Sequence, residues 1–185
     1  MATHTQHNAP LEVYFCTFTC YRWLPLFEQA NAYSSVYRWF EHLKKDDCLI
    51  LGYVIMPNHV HCLLYPTHSK KPLNLLVGEG KRFMAYSIVN ALRKSKKSDL
   101  LNKLKQGVTH SERRTGKLHQ VFRLSFHARV CFNEKMLEQK LDYIHHNPVS
   151  GKWRLVDDFA EYLHSSAAYY ETGTKNTYLT HYKEV

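Results

Sequence analysis

The sequence lacks both a long hydrophobic segment and any paired-cysteine motif. No apolar run approaches the roughly 20 residues that a membrane-spanning helix needs, and the start, MATHTQHNAP, lacks the hydrophobic region of a signal peptide. The cysteines are few and odd in number, and none forms a Cys-x-x-Cys pair: they are Cys16, Cys20, Cys48, Cys62 and Cys131. Most of them lie in apolar stretches, which is typical of small buried residues in a reducing compartment. We therefore expect a cytosolic protein with unpaired thiols.

Acidic residues are also scarce relative to basic ones. The chain has 25 Lys and Arg against 16 Asp and Glu, a net charge of +9, together with 13 histidines and 14% aromatic residues. Between Lys81 and Lys117 eleven basic residues stand against Asp99 and Glu112, so this basic segment alone carries the whole excess. It is either a solvated loop or a stripe that neutralises a nucleic-acid backbone. The overall balance favours a polyanionic partner.

At 185 residues the chain fits one domain. We expect residues 1–10 to be disordered, residues 11–170 to form the domain and residues 171–185 to form a tail. Hydrophobic periodicity predicts, in order, a strand, a helix, two strands, a helix, a strand and a last helix, at 13–20, 31–44, 48–56, 59–65, 73–93, 128–132 and from Asn133. This β-α-β-β-α-β pattern predicts an α+β, ferredoxin-like or RRM-like fold, an antiparallel sheet with helices on one face.

Apolar residues at helical spacing indicate which sides of two of these helices are buried. The helix over 73–93 is predicted to bury Phe83, Met84, Ile88, Val89 and Leu92. The last helix is predicted to be capped by Asn133, to end before Pro148 and to bury Leu137, Leu141 and Ile144.

The most informative stretch is GYVIMPNHVHCLLYP, residues 52–66. Successive side chains on a strand point to opposite faces, so His59 and His61 lie on the same face about 6.6 Å apart, close enough to share one metal ion. An isolated His-x-His is weak evidence, because such pairs are more often ordinary polar residues. Two imidazoles in a strand otherwise made of Val, Cys and Leu are better explained by a bound cation than by packing.

A second set of polar residues lies on the predicted last helix. Tyr143 and Asn147 are four residues apart on one side of it, offset from the apolar stripe, and Lys140 shares that side. A tyrosine and an amide on one helix can supply an attacking oxygen and a metal-ligating oxygen. Alone, the same pattern is more often a core-edge tyrosine and an ordinary helix ending.

Three stretches, MPNHVHCLLYP (56–66), HQVFRLSFHARV (119–130) and LDYIHHNPVSGKW (141–153), resemble the REP-associated tyrosine transposases. These form a branch of the IS200/IS605-like single-tyrosine HUH transposases, and the resemblance extends from about residue 13 to 170. It implies the HUH endonuclease fold, His59 and His61 as metal ligands, Asn147 as a third ligand and Tyr143 as the nucleophile. The implied cofactor is Mg²⁺ or Mn²⁺, although two imidazoles also suit Zn²⁺ or Ni²⁺.

The resemblance further implies the reaction and the partner. Single-stranded DNA from hairpin-forming repeats, at the bacterial nucleoid, is cleaved to a 5′-phosphotyrosine and a free 3′-OH and then rejoined. A tyrosine ordinarily titrates near pH 10, so the attack needs a nearby cation or base; the metal is the first candidate and Lys140 the second. Residues expected to contact DNA are mainly basic: Lys81, Arg82, Arg93, Lys94, Lys96, Lys97, Arg113, Arg114, Arg123 and His127. Ala128 stands where the family often has Asp.

Other interpretations of the same residues remain open. An RRM-like module binds single-stranded nucleic acid without chemistry, but the sequence has no Gly-Phe-Gly-Phe string and this function leaves the histidine pair unexplained. A phosphodiesterase uses metal-bound water and needs Tyr143 only as a structural residue. A domesticated transposase acts on chromosomal repeats without moving. The sequence is compatible with a monomer or a homodimer.

Overall fold

Four antiparallel strands form one sheet at the centre of the molecule. They are β1 (Val13–Thr19), β2 (Cys48–Met56), β3 (His59–Pro66) and β4 (His127–Cys131), in the order β2-β3-β1-β4. This computed structural model describes residues 11–185, and the predicted disorder of residues 1–10 lies outside the described part. β1 and β3 are the interior strands, and β2 and β4 form the two edges.

The helices lie between and after these strands. They are α1 (Leu26–Gln29), α2 (Tyr33–Lys45), α3 (Leu73–Lys94), α4 (Ser98–Gln106), α5 (His110–Arg114), α6 (Glu134–His146) and α7 (Ala167–Thr172). Short 3-10 helices occupy Tyr21–Trp23, Asn147–Val149, Phe159–Glu161 and Tyr182–Glu184. With α2 and α3 as its two helices, the predicted β-α-β-β-α-β order and α+β class are confirmed.

The two faces of the sheet carry different helices. One face of the sheet packs against side chains of α2 and α3 through Cys16, Phe18, Val60 and Cys62. The two helices of the β-α-β-β-α-β pattern therefore lie on the same face, as predicted. On the other face α6 places its stripe, Leu137, Leu141 and Ile144, against Leu51, Val54 and Leu63. Because side chains alternate along β3, Val60 and Cys62 point toward α2 and α3. His59 and His61 therefore point toward α6.

The basic segment 81–117 is mostly helical. It contains the second half of α3 together with α4 and α5, and α3 and α4 pack on the sheet face opposite α6. The alternative of a solvated loop is therefore wrong for most of it. The prediction that Phe83 is buried is also wrong: its side chain is 54% exposed, because the buried stripe of α3 runs through Met84, Ile88 and Leu92 instead.

Local chemistry explains where α6 begins. The Asn133 side chain accepts a hydrogen bond from the Met136 N–H at 2.9 Å, which confirms the predicted N-cap. Glu134 lies in the first turn, where its negative charge suits the helix dipole. The cap therefore fixes the start of α6 directly after the edge strand β4.

Gly52 allows α6 to approach the sheet closely. The register between β2 and β3 shifts between Ile50 and Gly52, and a Cβ built on Gly52 lies 2.4 Å from Leu141 Cδ2. Leu141 is buried and lies two residues before Tyr143, so this contact sets the height of Tyr143 above the sheet.

Gly52→Ala is expected to lower the free energy of unfolding by about 1–3 kcal/mol, because the new methyl group overpacks the contact with Leu141. Urea denaturation measures the change. Gly78→Ala is the matched control: nothing lies within 4 Å of that Cβ, and alanine in the helix α3 is expected to stabilise by about 0.5–1 kcal/mol. Equal stability of the Gly52→Ala variant and the parent would show that α6 tolerates displacement.

All five cysteines are free thiols, as predicted, and four of them are buried. Within residues 11–185, none of the helices combines the length and apolar character that crossing a bilayer requires. The predicted tail, 171–185, runs beside β2: the Thr180 N–H donates to the Ile50 carbonyl at 3.0 Å, and Asn176 donates to the Tyr53 hydroxyl at 2.9 Å.

Candidate active site

The two histidines of β3 lie side by side beneath α6. His59 and His61 are 7% and 6% exposed, and their ring centroids are 4.6 Å apart. The hairpin that carries them turns at Pro57-Asn58, whose carbonyl oxygens accept hydrogen bonds from the Phe27 and Cys20 N–H groups. The imidazole pair is thus presented on a rigid support, as the sequence predicts.

A hydrogen bond at Nδ1 fixes the orientation of each imidazole. His59 Nδ1 donates to Asn58 Oδ1 at 2.6 Å, and His61 Nδ1 lies 2.7 Å from Thr17 Oγ1. When Nδ1 carries the proton, Nε2 keeps its lone pair for a ligand. Asn147 also interacts with the His59 ring, and this interaction raises the pKa of the imidazole against the larger effect of burial. This is the arrangement that metal-ligating histidines require.

Tyr143 on α6 lies against this pair. Its ring centroid is 5.2 Å from that of His61, at an interplanar angle of 71°, and its side chain is 50% exposed. Phe15 on β1 stacks on His61 at 5.4 Å and meets the Tyr143 ring edge-on at 6.0 Å. The structure therefore brings together both halves of the predicted site, although about eighty residues separate them in the chain.

Lys140 approaches the same group from the preceding turn of α6. Its Nζ lies 5.0 Å from the centroid of the Phe15 ring, and its positive charge contributes to the lowered pKa of His61. The predicted catalytic lysine is therefore close enough to add positive potential around the imidazoles.

Burial keeps both imidazoles neutral. It lowers the pKa of His59 to about 4, and it lowers the pKa of His61 to about 3 with smaller contributions from the neighbouring His59 and Lys140. A histidine must be unprotonated to bind a metal ion, so the pair is ready for a ligand at neutral pH.

The residues present fit a divalent cation with open coordination positions. His59, His61 and Asn147 offer two imidazole nitrogens and an amide oxygen, a set that suits first-row divalent metals. Among the residues that the structure describes, no three His, Cys, Asp or Glu side chains form a metal-binding group. A cation at this site therefore depends on Asn147, the substrate or water to complete its coordination.

Acidification is expected to destabilise the protein between about pH 6.5 and pH 4. The unfolded imidazoles titrate near pH 6.5, whereas burial lowers the pKa of His59 and of His145 to about 4. As the pH falls, the unfolded chain binds protons first, so the free energy of unfolding decreases. Denaturant titrations at a series of pH values measure the slope.

His145→Gln is expected to flatten this slope, because its buried imidazole no longer titrates. His42→Gln, at an exposed position, is the matched control and is expected to leave the slope unchanged. Equal slopes for the parent and the His145→Gln variant would contradict the role of burial.

Four of the predicted DNA-contacting residues line a groove of about 520 Å³ between α3 and residues 115–124. They are Lys81, Arg82, Arg93 and Arg123. Two buried polar atoms in the same wall, His119 Nε2 and Gln120 Oε1, have no hydrogen-bond partner among residues 11–185. The positive charge of the groove suits a polyanionic ligand.

Three predicted DNA contacts are already bonded within the protein. Lys81 donates to the Arg123 carbonyl at 2.8 Å, Lys97 donates to the Gln29 carbonyl and side chain, and Arg113 donates to the Lys105 and Val108 carbonyls. Burial lowers the pKa of Lys81 to about 8. The other basic side chains of the set are exposed: Arg82, Arg93, Lys94, Lys96, Arg114 and Arg123.

β4 divides its side chains between the two faces. His127 pairs with Thr17 and is exposed on the same face as His61, whereas Ala128 pairs with Cys16 and packs toward α2 and α3. Of the predicted DNA contacts, His127 is therefore on the histidine face, and the basic helices are on the other.

Sequence reasoning missed several residues that build the site. Phe15, Thr17 and Asn58 contact the histidines directly, and the ring of Trp23 lies 6.1 Å from that of His59. Asn58 could have been identified from the sequence, because it directly precedes His59 in the turn between the two strands. Phe15 and Thr17 are recognisable only once β1 is paired with β3.

No family model and no curated protein matches this sequence. Among solved structures, the chain is similar to a REP-associated tyrosine transposase bound to a REP hairpin, with a TM-score of 0.59 and 18% sequence identity. The match covers 90% of this chain and 82% of the other. At this identity the likeness concerns architecture, and the fold class predicted from the sequence is confirmed: this chain has the fold of a REP-associated tyrosine transposase.

Proposed function

We propose that this protein is a metal-dependent single-stranded DNA endonuclease and strand transferase, a single-tyrosine HUH transposase with Tyr143 as its nucleophile. One observation carries the proposal: the Tyr143 ring lies 5.2 Å from the ring of His61, which in turn lies 4.6 Å from that of His59. A half-exposed tyrosine beside two neutral, oriented imidazoles is the combination that phosphoryl transfer to a phenol requires.

The roles of the side chains follow from their positions. The scissile phosphate lies between the histidine pair and Tyr143, and Asn147 supports His59. A divalent cation held by His59, His61 and Asn147, Mg²⁺ or Mn²⁺ by family resemblance, withdraws charge from the phosphate oxygens when bound. The Lys140 ammonium adds positive charge beside the reacting groups, where the phosphate oxygens gain negative charge during the attack.

Tyr143 Oη attacks phosphorus in line, forming a new P–O bond while the bond to the 3′ oxygen breaks. The 3′ oxygen takes a proton and leaves as a free hydroxyl, and the 5′ phosphate stays on the tyrosine. The phosphodiester energy is kept in this linkage. A 3′-hydroxyl of another strand then attacks the phosphotyrosine and releases Tyr143 without ATP.

The distribution of charge supports a nucleic-acid substrate. The chain carries +9, and the exposed Arg82, Arg93 and Arg123 line the groove beside α3. Such a surface gains affinity by releasing counterions from the phosphate backbone. The structural neighbour is bound to a REP hairpin, which supports hairpin-forming repeat DNA as the ligand.

The site also supports catalysis within one chain. Tyr143 and the histidine pair of the same molecule face each other, so a monomer contains every proposed group. A homodimer is compatible with this arrangement but is not needed to complete it.

A covalent assay tests the proposed function. Single-stranded hairpin DNA from the gene's own flanks, labelled at its 3′ end, is incubated with the protein in Mn²⁺, Mg²⁺ or EDTA and analysed on a denaturing gel. We expect the label to move to the protein band only with a divalent cation. A free 5′-phosphate product without protein-linked DNA would instead indicate hydrolysis by metal-bound water. Metal-independent binding without cleavage would indicate an RRM-like binding module.

A further inference from the structure

Trp23 is an exposed aromatic side chain beside the candidate site. It is 53% exposed, and its ring centroid lies 6.1 Å from that of His59 at an interplanar angle of 74°. Aromatic residues gain free energy by burial, so packing does not explain an indole half in solvent next to a buried histidine. About half of the indole surface is therefore available to contact a ligand at this site.

The backbone that presents Trp23 is held in an unfavourable conformation. Arg22 and Trp23 have φ angles of 51° and 58°, in the left-handed region that side chains with a Cβ rarely adopt. Hydrogen bonds on both sides enforce it: the Trp23 N–H donates to the Cys20 carbonyl at 3.1 Å, and the Tyr21 N–H donates to the Val121 carbonyl at 2.7 Å. Strain of this kind persists where the surroundings determine it and is concentrated at functional sites.

Asn58 connects this turn with the histidine pair. Its side chain is fully buried; Nδ2 donates to the Trp23 carbonyl at 3.3 Å, and Oδ1 accepts from His59 Nδ1 at 2.6 Å. One amide therefore fixes both the strained turn and the imidazole, so the distance between the indole and His59 is set by the fold.

We propose that Trp23 is a base-stacking subsite that holds an unpaired nucleobase next to the phosphate bound at His59 and His61. The inference rests on the proposed function, because it places the scissile phosphate at the histidine pair. Every base has an aromatic face, so stacking on an indole selects for an unstacked, single-stranded nucleotide at this position rather than for one base. Trp23 thus orients the nucleotide beside the bond that Tyr143 attacks.

An abasic scan tests the subsite in a background that binds but does not cleave, Tyr143→Phe. Binding of the single-stranded hairpin DNA is measured by anisotropy for the intact strand and for strands with one abasic position near the cleavage site. Trp23→Ala is expected to weaken binding of the intact strand about ten-fold, or about 1.4 kcal/mol. In the protein that keeps Trp23, one abasic position is expected to weaken binding by the same factor as Trp23→Ala does. In the Trp23→Ala variant, the same abasic position is expected to cause no further loss.

Two variants serve as controls. Trp23→Phe keeps an aromatic face and is expected to retain most of the affinity. Phe83→Ala removes an equally exposed aromatic residue on the opposite side of the sheet and is expected to have no effect. Unchanged binding by Trp23→Ala, or equal losses at every abasic position, would overturn the subsite and leave an indole that only supports the fold.

The covalent assay separates this inference from the proposed function. If Trp23 affects binding at one position but no protein–DNA adduct forms, the stacking subsite stands and the proposed tyrosine chemistry is wrong. An adduct together with additive abasic effects would remove the subsite alone. A parent protein that binds no single-stranded DNA would overturn both.

Discussion

Replacing Tyr143 with phenylalanine is expected to abolish the covalent protein–DNA complex, with a loss of cleavage of at least about 1,000-fold. The variant keeps the ring that contacts Phe15 and His61 and removes only the oxygen that attacks phosphorus. DNA binding is therefore expected to stay within about two-fold of the parent. The 3′-label transfer assay measures cleavage, and anisotropy measures binding.

Tyr169→Phe is the matched control, because it makes the same change at a tyrosine of α7, which is not part of the candidate site. It is expected to form the adduct at the parental rate. An undiminished adduct in the Tyr143→Phe variant would remove Tyr143 from the role of nucleophile and direct attention to the other tyrosines.

His59→Ala is expected to reduce cleavage by at least about 100-fold while leaving most DNA binding intact. The variant loses one of two imidazoles that a cation needs, together with the hydrogen-bond partner of the Asn58 side chain. Higher Mn²⁺ concentrations are expected to restore part of the rate if the loss is one of metal affinity. Cleavage rates over a Mn²⁺ titration measure this.

His68→Ala, at an exposed histidine just after β3, is expected to behave as the parent does. Mixing His59→Ala with Tyr143→Phe is expected to give no adduct, because each active site lies within one chain; recovery of activity would show a site shared between two chains. Thermal unfolding of His59→Ala well below the parent, with normal cleavage by the folded fraction, would assign the histidine to structure alone.

The sheet was predictable because its signals are local. The apolar run of β2 and the alternating start of β3, with Pro57-Asn58 between them, predict the hairpin without any knowledge of distant contacts. The capped start of α6 at Asn133 and its apolar stripe were equally readable. These elements are determined by residues within a few positions of each other.

The approach of α6 to the histidine pair was not derivable from the same local rules. Its apolar stripe requires burial but does not specify a face of the sheet, and the close approach depends on Gly52, about ninety residues earlier. Only the family resemblance predicted that Tyr143 joins His59 and His61. The role of Lys97 was similarly hidden, because its hydrogen-bond partner, Gln29, lies 68 residues away.

The division of the molecule into two faces has a consequence for the size of its ligand. The histidines lie beneath α6, whereas Arg82 and Arg93 lie on α3 across the sheet, and β4 is the edge strand between them. A DNA strand that contacts both the histidines and the arginines of α3 must bend around the β4 edge of the sheet, past Arg123. Oligonucleotides too short to make the turn can occupy one side or the other, and only longer ones gain from both.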